Sequence, residues 1–120
     1  DFQARECANV LWAFAKLGFW NGGLFDTLGR RAHETLQEAT PQNLSNLAWA
    51  FAAVCCRDAP VLSPLLSASK ARVSEFDPQN VSNVVWAMAG LVVLDVPVLQ
   101  ALSSAAVRMS AQLSPQDIST

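Results

Sequence analysis

The sequence predicts an all-α fold, an α-solenoid of helix-turn-helix repeats with a 37-residue period, from three observations. Trp12, Trp49 and Trp86 lie 37 residues apart. Residues 41–77 and 78–114, aligned without gaps, are identical at 15 of 37 positions. Apolar residues within each copy follow helical spacing, and no stretch alternates apolar and polar residues as a strand would. Helix pairs that cannot bury their apolar faces alone are expected to stack on their neighbours.

The repeat pattern also predicts the domain organisation. We predict one solenoid segment over residues 1–120, with repeats at 4–40, 41–77 and 78–114 and the start of a fourth at 115–120. Because both ends fall inside the pattern, we expect the chain to be part of a longer array.

The same start signal precedes the first helix of each copy after the first. Thr40, Asp77 and Ser114 each precede a Pro-Gln pair, and these side chains can cap a helix whose first position suits proline. The spacing predicts that the first helix of the second copy runs to about Cys55. Its predicted buried stripe comprises Leu44, Leu47, Ala48, Phe51, Ala52 and Cys55.

A short break and a second helix follow in each copy. Asn21, Asp58 and Asp95 occupy the same position and are predicted to cap that helix. The second helix of the middle copy is expected to bury one face, formed by Leu62, Leu65, Ala68, Ser69 and Val73.

Composition narrows the function classes. Of the 120 residues, 52% are hydrophobic and 15% charged, which excludes a disordered tail. A net charge of −2 argues against a protein that coats phosphates indiscriminately. Three cysteines, an odd number, favour a reducing compartment over a disulfide framework, and we interpret them as small core residues. The apolar windows are shorter than the ~20 residues of a membrane span, so no membrane insertion is expected.

The block PQN-x-SN-x-x-WA-x-A at this period resembles the heptatricopeptide and octotricopeptide repeat proteins. It is also similar to the leucine-rich helical region of FAST-kinase-like proteins and to repeat proteins of the mitochondrial RNA-editing substrate-binding complex. The resemblance implies binding of single-stranded RNA in the mitochondrial matrix, or alternatively in plastids, during RNA processing, stabilisation or editing. Other proteins of an organellar ribonucleoprotein complex are possible partners under the same resemblance.

Polar residues on the side of the first helices opposite the apolar stripe are the candidate RNA contacts. Asn and Gln each offer a donor and an acceptor to a base edge, and helical repeats can read one base each. On this side lie Arg5, Asn9, Lys16, Gln42, Asn46, Gln79 and Asn83. A second group of candidate RNA-binding residues, Glu6, Asn43 and Asn80, shares one position that varies between copies, as a position that reads a base would.

Structural alternatives stay open for two of these groups. Asn46 and its equivalents could instead bond to one another, or to backbone, as a ladder. Asn43 and its equivalents stand at the third helical position, where an amide or carboxylate helps cap the N-terminus.

The repeated tryptophans also have two interpretations, base stacking and packing between repeats. We favour packing, because a large residue repeated in every copy is more often a wedge between neighbours. On that view, replacing Trp49 with alanine should cost ~3–5 kcal/mol, as for a buried aromatic.

The sequence contains no set of nucleophile, base and orienting residue, and no ligand cluster for a metal. We therefore predict a protein that is not an enzyme and has no cofactor and no small-molecule substrate. The leading hypothesis is an RNA-binding segment, and the alternative is a protein–protein interaction scaffold within a ribonucleoprotein complex. Arg30, Arg31, Lys70, Arg72 and Arg108 of the second helices are interpreted as a solvated surface.

Overall fold

A computed structural model describes residues 3–55, 60–91 and 95–111 of the chain. Within these ranges the regular structure is entirely helical and contains no strand, which confirms the predicted all-α class. The helices are α1 (Ala4–Lys16), α2 (Gly22–Glu34), α3 (Pro41–Ala53), α4 (Leu62–Ala71), α5 (Pro78–Leu91) and α6 (Val96–Ala111). We call α1, α3 and α5 the first helices, and α2, α4 and α6 the second helices. No helix of the described ranges is long and apolar enough to cross a membrane.

Reciprocal caps fix the start of α3 and α5. Thr40 Oγ1 accepts a bond from the Asn43 backbone N–H, and Asn43 Oδ1 accepts one from the Thr40 N–H, both at 3.1 Å. Asp77 and Asn80 repeat this arrangement at 2.7 and 3.1 Å. These bonds satisfy N–H groups that have no partner within the helix, so the starts predicted at residues 41 and 78 are confirmed. The start predicted at residue 115 lies outside the described residues.

The end of α3 differs from the prediction. The helix ends at Ala53, and Cys55 adopts a left-handed backbone with φ of 57°. Gly18 holds the same position after α1, with φ of 70°. Because this turn directs the chain away from the helix, Cys55 is exposed, and its assignment to the buried stripe was wrong.

The other two cysteines have different outcomes. Cys7 is fully buried, as predicted, and burial raises the pKa of its thiol. Cys56 lies outside the described residues.

Asn21 and Asp95 cap the second helices α2 and α6. Asn21 Oδ1 accepts a bond from the Leu24 N–H at 3.0 Å, and Asp95 Oδ1 accepts one from the Val98 N–H at 3.3 Å. The predicted cap at Asp58 lies outside the described residues. Short 3₁₀ turns, which the sequence reasoning did not predict, follow α2 and α4 at Leu36–Glu38 and Val73–Glu75.

The first helices lie side by side in the order α1, α3, α5, and these two pairs make more contacts than any other pair of helices. Each second helix packs on the first helix that precedes it. The core between them is apolar and contains Phe25 and Phe51, whose rings meet edge to face with centroids 5.7 Å apart. The outer side of the first helices, opposite this core, carries the residues described next.

Candidate nucleic-acid interface

A row of three tryptophans crosses the outer side of the first helices. The Trp12 and Trp49 ring centroids are 6.2 Å apart, and those of Trp49 and Trp86 are 5.9 Å apart with nearly parallel planes. Trp12 is 38% exposed and Trp86 51% exposed, while Trp49 between them is half-buried. The predicted contact between repeats is therefore confirmed, but the row lies on the surface and not in the core. We call these three residues the tryptophan row.

Lys16 adds a positive charge to the row. Its ammonium group lies 5.6 Å from the ring centroids of both Trp12 and Trp49, within the range of a cation–π interaction. The equivalent positions in α3 and α5 are Ala53 and Gly90, both exposed. At this aligned position the first copy therefore places a cation over the tryptophan row, and the second and third copies do not.

Two amide pairs flank the row. Gln42 Nε2 donates to Asn46 Oδ1 at 2.9 Å, and Gln79 Nε2 donates to Asn83 Oδ1 at the same distance. Both glutamines are exposed and both asparagines half-buried. One alternative predicted that these asparagines bond to one another. In the structure each asparagine bonds instead to a glutamine one turn earlier in its own helix. We call Gln42–Asn46 and Gln79–Asn83 the amide pairs.

Asn43 and Asn80 lie apart from this surface. Both are buried, and both serve in the helix caps described above. Asn80 Nδ2 also donates to Ser45 Oγ in α3 at 3.2 Å, which joins two first helices. These contacts favour the capping interpretation of the two residues over base readout.

The first copy differs from the other two because Arg5 and Glu6 stand where they have glutamine and asparagine, so that Asn9 has an arginine four residues before it. Arg5 forms an ion pair with Glu6 at 2.8 Å, and Glu6 Oε1 accepts a bond from the Gln3 N–H at 3.1 Å. The hydrogen bonds from Arg5 and from the Gln3 backbone lower the pKa of Glu6, so this carboxylate is ionised at neutral pH. Asn9 is exposed beside them.

Ion pairs within single helices or turns neutralise much of the second-helix charge. Arg30 pairs with Asp26 at 2.7 Å, Arg31 with Glu34 at 3.0 Å, and Arg72 with Glu75 at 3.0 Å. Arg72 also donates to the Ala39 carbonyl, and its guanidinium lowers the pKa of Glu75. This face is therefore a mosaic of both signs, consistent with the predicted solvated surface.

A groove of about 550 Å³ runs between α2 and α4, on the second-helix side. His33 and Arg72 are among its lining residues, together with small and apolar side chains. Across the described ranges, no three His, Cys, Asp or Glu side chains come close enough to hold a metal ion.

The sequence reasoning missed the exposure of the tryptophan row, although a signal for it was present. Trp49 follows Gln42 by seven residues, and residues seven apart share a helix face. Gln42, Asn46 and Trp49 therefore belong to one surface, as Gln79, Asn83 and Trp86 do in α5.

A comparison with known protein families identifies the family of this chain. The RNA-editing substrate-binding complex 6 protein family matches residues 1–118, and the chain belongs to this family. A comparison with curated proteins gives no match. The predicted likeness to proteins of an RNA-editing complex is thereby confirmed, while the more specific heptatricopeptide and octotricopeptide assignment stays a prediction.

Proposed function

We propose that the chain is an α-solenoid segment with a 37-residue period that binds single-stranded RNA as a non-enzymatic part of an RNA-editing substrate-binding complex. The exposed tryptophan row with Lys16 above it is the observation that supports RNA binding most directly. Family membership supports the setting, RNA processing by a ribonucleoprotein complex. The same setting favours the mitochondrial matrix, with a plastid as the alternative.

The spacing of the tryptophan row determines how RNA would lie on it. A base inserted between two rings needs roughly 7 Å between their planes, which is two stacking distances. The ring centroids are only 6.2 and 5.9 Å apart, so no base enters without separating the rings. Bases would therefore lie across the exposed indole surfaces, with the amide pairs within reach of their edges.

The affinity of this arrangement should be low. Three bases at ~1–3 kcal/mol each give a gross gain of ~3–9 kcal/mol, from which the ordering of the strand is subtracted. A net gain of ~4 kcal/mol corresponds to a millimolar Kd. We expect Kd values between about 10 μM and about 1 mM near physiological salt.

The salt dependence should be shallow. The first helices contain two basic residues, Arg5 and Lys16, and Arg5 is paired with Glu6. Each phosphate contact on a single strand contributes a slope of about −0.7 to the plot of log binding constant against log salt. A slope between about −0.7 and −1.4 is expected.

A titration of the chain with fluorescently labelled single-stranded RNA tests the proposal, using Lys16→Ala and the matched Lys70→Ala. Both lysines are exposed, but Lys70 lies on the second-helix side. We expect Lys16→Ala to weaken binding about three- to tenfold and to flatten the salt slope, while Lys70→Ala leaves both unchanged. Equal effects of the two substitutions would contradict binding at the tryptophan row.

The alternative function, a protein–protein interaction scaffold, also has a specific observation in its favour. Leu17, Phe19 and Trp20, between α1 and α2, are exposed apolar residues, and large exposed apolar groups mark protein contacts. RNA binding weaker than about 1 mM, together with capture of another complex subunit that Phe19→Ser abolishes, would favour this function.

A further inference from the structure

The RNA sequence that the first helices accept can be inferred from the amide pairs, provided the proposed function holds. We propose that α3 and α5 read the same base, so that the preferred RNA carries two identical consecutive nucleotides. The first copy, with Arg5 in place of glutamine, reads its own position differently.

Each amide pair leaves a defined set of groups for a ligand. The bond from Gln Nε2 to Asn Oδ1 occupies one donor of the glutamine and one acceptor site of the asparagine. The glutamine Oε1 remains as an acceptor and the asparagine Nδ2–H₂ as a donor. Base edges carry the complementary arrangement, and a bidentate contact of this kind discriminates between bases.

The two pairs match in position as well as in chemistry. Gln42 and Gln79 are equivalent residues 37 apart, and the Gln–Asn bond is 2.9 Å long in both helices. Each pair lies on the same face as its tryptophan, and those tryptophans, Trp49 and Trp86, are stacked. The two helices therefore present the same donor–acceptor pattern side by side. Because each helical repeat reads one base, the two repeats would read the same type of base at two consecutive positions.

The tryptophan row itself cannot supply this preference, because every base has a stacking face and stacking tolerates any sequence. The row would set the spacing of the bases, and the amide pairs their identity. The first copy has no amide pair of this kind because Arg5 replaces the glutamine, and Arg5 forms an ion pair with Glu6 instead.

The test compares doublet RNAs, in which two identical bases are followed by one different base, with alternating RNAs of equal length. All four bases take the doublet position in turn, and Kd is measured by fluorescence anisotropy. We expect doublets of one base to bind at least about fivefold tighter than alternating RNAs containing it, the lower end of what a bidentate contact provides.

Gln42→Ala and Gln79→Ala should each reduce this preference to less than about twofold. Gln100→Ala provides the matched control, because Gln100 is an exposed glutamine on α6. Circular dichroism and thermal melting establish that all variants fold. The control should retain the full preference.

Two results overturn the inference, and they differ from failure of the proposed function. Equal binding of doublet and alternating RNAs overturns it while RNA binding stands. A preference that survives Gln42→Ala and Gln79→Ala overturns the assignment to the amide pairs. Absence of any RNA binding below about 1 mM removes the proposed function and the inference together.

Discussion

The first and second helices of this chain carry different chemistry. The first helices repeat the same tryptophan and asparagine at every copy and pack closely side by side. The second helices and the turns that follow them vary between copies, and Arg30, Arg31 and Arg72 in these segments pair with nearby carboxylates. The helices whose residues repeat therefore form an exposed surface with few charges, whereas the helices that carry the charges differ in sequence from copy to copy.

This difference teaches how one repeat can serve both stability and binding. The inward side of each first helix is apolar and holds the copies together, and its outward side aligns equivalent residues into rows. The apolar contacts between neighbouring first helices fix the spacing of the residues in each outward row. Substitutions on the two sides of the same helix should therefore separate folding from binding.

Phe51→Ala should have the largest effect on stability. Phe51 is fully buried and meets Phe25 edge to face, so the substitution leaves a cavity and costs ~3–5 kcal/mol. Urea denaturation monitored by circular dichroism measures the change. A cost below ~1 kcal/mol would mean that the contact between α2 and α3 contributes little to the fold.

Trp49→Ala, two residues earlier in the same helix, should cost less, about 2 kcal/mol. The substitution removes two ring contacts of ~0.5–1.5 kcal/mol each from a half-buried site. It should also weaken RNA binding, which Phe51→Ala should reduce only through unfolding. A cost equal to that of Phe51→Ala would favour the buried wedge predicted from the sequence.

Ala53→Lys should strengthen RNA binding by about three- to tenfold. Ala53 is the α3 equivalent of Lys16, so the new ammonium group would lie beside Trp49 and Trp86 and add about −0.7 to the salt slope. Ala71→Lys is the matched control, since both alanines are exposed and end their helices. An equal gain from Ala71→Lys would indicate attraction by overall charge.

Cys55→Gly should stabilise the fold by about 1 kcal/mol. Cys55 has a positive φ that glycine adopts without steric cost, and Gly18 already occupies the equivalent position. Gly18→Ala should destabilise by a similar amount. Thermal melting of both variants checks the pair, and a destabilised Cys55→Gly would contradict the cost assigned to this turn.

The helix starts could be predicted from the sequence, and the exposed surface only in part. Thr40 and Asp77 before proline specify a local cap, so Pro41 and Pro78 were located correctly. The end of α3 was not, because Cys55 adopts the turn without the glycine that usually signals it. The positions of Asn43 and Trp49 depend on how neighbouring helices approach, and one helix's periodicity does not contain that information.

The central claim, that RNA lies on the tryptophan row, is tested most directly by the indole N–H signals of the protein in a ¹H–¹⁵N NMR spectrum. The chain has four tryptophans, and Trp20 serves as an internal control because it is 51% exposed, as Trp86 is, but packs against Phe25 in α2. Conservative Trp→Phe variants assign the signals. On addition of single-stranded RNA, we predict that the signals of Trp12, Trp49 and Trp86 shift while that of Trp20 does not. A shift confined to Trp20, or no indole shift at saturating RNA, would contradict the account.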